Sequence, residues 1–130
     1  MNDERIYEEV GRNYRFFATW RHLTFAAGVG ICAAVLKVGT DEGFWTLPFT
    51  LACLAGGVGE IILMILDART RAHTQAAVEQ GAKLEGSTAG FFTGIQAKRS
   101  GLTHTTAVRL FYGVSAIVML YWGLTRLAAA

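Results

Sequence analysis

The sequence predicts an all-α integral membrane protein: three transmembrane helices, an amphipathic amino-terminal helix and a cytoplasmic extension of the second span. Three observations lead there. The chain has 130 residues, 52% of them hydrophobic. With glycine counted as apolar and tyrosine set aside, the share is about 61%, against roughly 45–50% in soluble globular proteins. Charged residues make up only 17% and are clustered, so long stretches carry none. Finally, Lys and Arg are divided very unevenly between the segments that those stretches separate. Spans of about 20 residues each leave only pieces too short to bury an independent core. A separate catalytic domain, a dinucleotide-binding fold and a DNA-reading module are therefore disfavoured, and no enzymatic activity is expected. The net charge of +2 is too small for the basic face that nucleic-acid binding needs, so no sequence-specific nucleic-acid contact is expected.

Residues 1–22 form the first element. They hold acids and arginines within the first fifteen positions and no apolar core, so a cleaved secretory signal is not expected. Ile6, Val10 and Phe17 recur at helical spacing beside Arg12, Arg15 and Arg21. That pattern suits an amphipathic juxtamembrane helix in the interface, or equally one packed on the long connection. The first span is placed at residues 23–40. Its charge-free part, 23–36, is short, but Lys37 can snorkel and let the helix continue. Residues 41–47 make a loop, and Pro48 suits the first turn of a second span over 48–66, broken only by Glu60.

The connection 67–106 keeps helix-forming residues, with Glu79 and Lys83 in the favourable i, i+4 order. A single helix from Pro48 to Glu85 would be about 57 Å long and would project roughly 27 Å beyond a 30 Å hydrocarbon core. GSTAGFFTG then breaks it, and Phe91 and Phe92 offer a ring pair to bring the chain back to the membrane surface. The third span, residues 107–130, lies across Arg109 and Arg126 and ends in LAAA. Ten of the 12 Lys and Arg fall in the amino-terminal segment and the stretch 67–109, which takes in Arg109 at the start of the third span. The positive-inside rule therefore predicts a cytoplasmic amino terminus and connection, and an external carboxyl terminus. Trp20 at the inner boundary and Trp45 and Trp122 at the outer one agree.

Glu60 is the most informative residue. A carboxylate inside a span costs roughly 2.5–3.5 kcal/mol and usually faces a bundle interior or a water-filled path. It sits seven residues, about 10 Å, from Asp67, at a depth that an antiparallel first span reaches between Gly28 and Gly30. Cys53, Gly56, Glu60, Leu63 and Asp67 share one face of the second span, which in a ring of three or more copies would line a cation-favouring conduit. The alternative is that Glu60 is protonated or paired with Arg21 or His22. Ala52, Ala55, Gly56 and Gly59, with Gly28 and Gly30 on the first span, are small residues that allow close helix packing. Cys32 and Cys53 both lie in apolar runs and are expected reduced. His22, His73 and His104 lack metal-ligand spacing, so neither metal nor cofactor is expected. Ser87, Ser100 and Ser115 lack a base and an orienting acid for nucleophilic catalysis.

The stretch YRFFATWRH, a span, a short loop, a second span and then LDARTRAHTQAAVEQGAKLE resemble the SLATT-type two-transmembrane effectors of bacterial anti-phage systems. The likeness covers roughly residues 7 to 85 and takes in the juxtamembrane residues Arg12, Arg15, Trp20 and Arg21. It implies a homo-oligomer that permeabilises the bacterial inner membrane when a partner nucleotidyltransferase, or its nucleotide product, signals infection. The third span departs from the simplest family pattern. Two other classes stay open: a small proton-coupled cation transporter working through Glu60, and a non-conducting membrane anchor or scaffold.

Overall fold

The structure, a computed structural model, describes residues 3–86, 88, 90–97 and 104–130, without the side chain of His104. Ser87, Lys98, Arg99 and Ser100 lie outside the described residues. Among those described, regular structure is helical throughout: α1 Asp3–Glu42, α2 Leu47–Glu85, α3 Phe91–Ala97 and α4 His104–Ala129. Helices α1, α2 and α4 are each long and apolar enough to cross a membrane. In hydrocarbon every backbone polar group must be satisfied within the chain, which a helix does by itself. The outward faces fit that solvent, since Leu51, Val58, Ile62, Leu110, Ile117 and Leu124 are all exposed large apolar side chains.

The expected boundary between a juxtamembrane helix and a first span leaves no break: α1 is continuous for 40 residues, about 60 Å. No proline interrupts it, and its backbone has no positive φ. It ends where Gly43 adopts φ +97° and its amide reaches the Gly39 carbonyl at 2.9 Å, a left-handed helix stop that glycine takes without strain. Three residues on, Thr46 starts α2: its carbonyl accepts the Thr50 amide at 3.1 Å, and Pro48 occupies the first turn. Helix α2 then runs unbroken to Glu85 and stops at Gly86, φ +62°.

Contacts divide the chain into two units. One comprises residues 1–23 and 67–103, the other 24–66 and 104–130. The first is built on Val10, Ala77, Val78 and Phe92, with Ile6, Tyr7, Tyr14 and Ile95 packed around them. Phe92 is 1% exposed and is met edge-on by Tyr7 and Tyr14 at 5.5 and 5.8 Å. It therefore enters a helical core instead of returning the chain to a membrane surface, because Gly81 leaves a gap that its ring fills. Phe91 stays exposed.

The second unit packs Val35, Phe49, Cys53 and Met119 together, with Ile31, Cys32, Ala52 and Trp122 against them. Close approach depends on α2 glycines. A Cβ on Gly57 would lie 2.6 Å from Leu120, and one on Gly56 would lie 2.8 Å from Val35. At one end of this unit the Arg126 guanidinium lies 3.4 Å over the Trp45 ring.

Candidate functional site

Glu60 lies in the middle of the apolar part of α2 and is completely enclosed, 0% exposed. The space for it comes from α1. Gly28 has no side chain, and a Cβ there would meet the Tyr112 ring at 2.7 Å and Glu60 Oε2 at 3.2 Å. Tyr112 itself is fully buried. Gly30, the other glycine of that turn, faces open space, so only one of the two makes room for the carboxyl group. The Cys32 thiol donates to Glu60 Oε1 at 3.6 Å, a long, weak bond even for sulfur. No hydrogen bond reaches Oε2, and among the described residues no ion pair reaches Glu60.

Arg21 pairs with Asp67, not with Glu60. Its Nε lies 3.3 Å from Asp67 Oδ1, and Asp67 is 1% exposed with Oδ2 unbonded. The two side chains belong to the same contact unit, and a carboxylate this deeply buried is retained at lower cost beside a guanidinium. His22 is exposed on α1. Glu60 is thus left with neither of the cationic partners considered for it.

The remaining residues of the expected lining face are also turned inward: Cys53 is 2% exposed, Gly56 is buried and Leu63 half-buried. Of the small residues, Gly59 meets Ile31, with a built Cβ 3.0 Å from its Cδ1, Ala52 is half-buried and Ala55 exposed. Arg12, Arg15 and Trp20 are exposed. His73 is exposed and stacks on Phe17, ring centres 5.0 Å apart. Both cysteines are free thiols, and among the described residues no cluster of His, Cys, Asp and Glu could hold a metal ion. Beside Cys32 an apolar cavity of about 360 Å³ opens between Val35, Phe49, Cys53, Ser115 and Trp122.

The role of a further carboxylate on α2 escaped sequence reasoning. Glu85 accepts the Phe92 and Thr93 amides at 2.9 and 2.8 Å, the Thr93 hydroxyl at 2.5 Å and the Tyr7 hydroxyl at 2.8 Å. Burial alone would raise its pKa, but the Thr93 hydroxyl, the two amides and Tyr7 together hold it at about 2. Hydrogen bonding to that carboxylate, with some burial and its negative charge, pushes the Tyr7 phenol up. A Glu at the end of one helix followed by Phe-Phe-Thr at the start of the next was the available signal. No known family, characterised protein or solved structure matches the chain.

Proposed function

We propose that this protein is an ion-handling membrane effector: a subunit that assembles with two or more copies of itself and opens the bacterial inner membrane to cations, with Glu60 as the carboxylate they meet. One observation carries this reading, the enclosure of Glu60 with no cationic partner among the described residues and with Oε2 unbonded. A group that costly is retained where it does something, and in a membrane span the something is usually an ion or proton path. In the conformation described Glu60 is shut inside its own subunit, which corresponds to a closed form. Conduction requires α2 to turn the Glu60 face towards neighbouring copies. The amino terminus and residues 67–106 are cytoplasmic in this reading, the first as an amphipathic helix and the second beginning as the extension of α2 to Glu85, and the carboxyl terminus is external. The resemblance to SLATT-type effectors supplies the trigger, a signal from a partner nucleotidyltransferase or its nucleotide product.

A second reading, proton-coupled cation transport, is favoured by the same enclosure: a lone carboxyl group here takes either a proton or a cation. Liposomes separate the two. A pore gives cation leak that Glu60→Gln weakens or makes less cation-selective while assembly is kept, whereas a transporter gives substrate uptake that follows a pH gradient. No flux in either format leaves an anchor. A strict monomer in both detergent and nanodiscs would end the pore reading. Single cysteines at Gln80 and Gly43, in a chain lacking Cys32 and Cys53, are expected to label from opposite sides of sealed cells.

A further inference from the structure

Ahead of the first apolar run, one face of α1 carries a shallow groove of about 460 Å³ bounded by Arg12, Arg15, Phe16, Thr19, Trp20 and Leu23. All six belong to one contact unit. Their three- and four-residue spacing puts them along one side of the helix, and the chemistry changes in order along it. Two guanidiniums come first, then two rings, then Leu23, where the apolar run begins. Phe16, Trp20 and Leu23 are 56%, 47% and 57% exposed, and the two rings meet edge-on at 6.4 Å. Thr19 spends its hydroxyl proton on the Arg15 carbonyl at 2.9 Å, so the arginines are the donors of the groove. Both are exposed, and the ion pairs among the described residues, Arg21 with Asp67 and Lys37 with Asp41, involve neither. Glu8 and Glu9, one turn before Arg12, are themselves exposed and form no ion pair with it.

We propose that this groove binds an anionic phospholipid of the surrounding membrane, its phosphodiester held by Arg12 and Arg15 and the upper part of an acyl chain lying along Phe16, Trp20 and Leu23. The order of the residues is what commits it to a lipid. A free anion would use the arginines and leave the rings bare, while an acyl chain alone would leave the guanidiniums without a counter-charge. Guanidinium groups suit phosphate oxygens through paired N–H donors. A tryptophan marks the membrane boundary. Arg15 and Arg12 are five and eight residues, about 7.5 and 12 Å, beyond Trp20 along the helix, and the headgroup layer on each side of the hydrocarbon core is about 5–7.5 Å deep, so Arg15 stands at its outer edge and the long Arg12 side chain has to reach back to the same phosphodiester. The inference rests on the membrane reading above and not on conduction.

The test uses the full chain reconstituted in phosphatidylcholine vesicles containing a minority of phosphatidylglycerol, with native mass spectrometry counting the lipids that stay bound on release. The wild type is expected to retain phosphatidylglycerol preferentially. One basic residue near an anionic surface is worth about fivefold in binding, so Arg12→Gln/Arg15→Gln is expected to lower the preference roughly tenfold or more. Arg12→Lys/Arg15→Lys keeps the charge but not the paired donors and is expected to fall between the wild type and the Gln variant, which covers the case in which the Gln variant folds poorly. Arg5→Gln/Arg69→Gln removes the same charge off the groove and is expected to leave the preference unchanged. Equal retention in wild type and Arg12→Gln/Arg15→Gln would overturn the proposal, as would a loss in the lysine variant as large as that in the Gln variant, or an equal loss in the off-groove control. Inorganic phosphate, titrated against the protein in pure phosphatidylcholine vesicles, is expected not to bind; binding as tight as that of the lipid would also overturn it. Cation flux through the same vesicles reports on conduction alone, so either reading can fail while the other stands.

Discussion

Of the four carboxylates on helix α2, Glu85 and Glu60 are in opposite circumstances. Glu85, in the unit of residues 1–23 and 67–103, accepts four hydrogen bonds and ties Tyr7 and the start of α3 to its own helix. Glu60, in the other unit, is more deeply buried yet has one long thiol contact and an oxygen with no donor. A satisfied carboxylate explains itself as structure, because its charge is met by donors that would otherwise go unpaired. An unsatisfied one in an apolar interior lowers stability and calls for another reason to exist. The contrast teaches that depth of burial alone does not say how a carboxylate is held; the balance of donors around it does.

The largest expected effect tests the packing around the satisfied end. Phe92→Ala empties the centre of its core and is expected to cost about 3–5 kcal/mol, read as faster amide hydrogen exchange over residues 70–85 and 91–97. Unchanged exchange there would mean that Phe92 is not a core residue. At the other end, Gly28→Leu drives a side chain into Tyr112 and Glu60 and is expected to cost about 1–3 kcal/mol or more, measured by unfolding in detergent. If it is tolerated without loss, Glu60 does not sit against Gly28.

The comparison itself is tested by giving both acids the same substitution. Glu60→Met removes an unmet oxygen and is expected to be neutral or stabilising by up to about 1–3 kcal/mol, while Glu85→Met is expected to destabilise by stranding the Phe92 and Thr93 amides. Parallel unfolding of the two variants reads the signs; like signs would erase the distinction. The smallest effect is one of pH. The folded pKa of Glu85 is lowered from 4.5 to about 2, so its contribution is fully present above pH 4.5 and is lost as the pH falls from there towards 2. Protection of the α3 amides, the ratio of intrinsic to observed exchange rate, is expected to fall over that window in the wild type and to show no such step in Glu85→Gln.

What could be read from the residues and what could not divides along physical lines. Runs of apolar side chains are a local signal, and they show three helices able to cross a membrane, Pro48 and Glu85 included within one of them. Rise per residue and antiparallel direction settle depth, so Glu60 could be placed level with Val29, between Gly28 and Gly30. Which of Gly28 and Gly30 faces inward depends on helix rotation, a tertiary choice, and Gly30 turned out to face open space. The partner of Arg21 was open for a similar reason: Glu60 and Asp67 lie two turns apart on α2, and only packing selects between them. The fate of Phe92 and the donors around Glu85 join residues far apart in sequence, a relation no periodicity encodes. The continuity of α1 was hidden by its composition, because the change from charged to apolar near Leu23 alters the solvent a helix prefers and not the backbone that forms it.

The hydrogen bond from Tyr7 to Glu85 joins positions 78 residues apart, and the unit that contains it is made from two separated stretches of chain. Order of synthesis therefore imposes a wait. At the usual pace of about 5–20 residues per second, Tyr7 leaves the ribosome roughly 4–16 s before the carboxylate that it meets. Through that interval Ile6, Tyr7, Val10 and Tyr14 have no core to join, and they depend on the membrane surface or a chaperone for cover. Closing so long a loop is also slow compared with forming a helix. The contact thus dates itself to late in the life of the nascent chain, after residues 24–66 have been made, and a ribosome stalled before Glu85 releases a chain whose amino-terminal helix has never been latched.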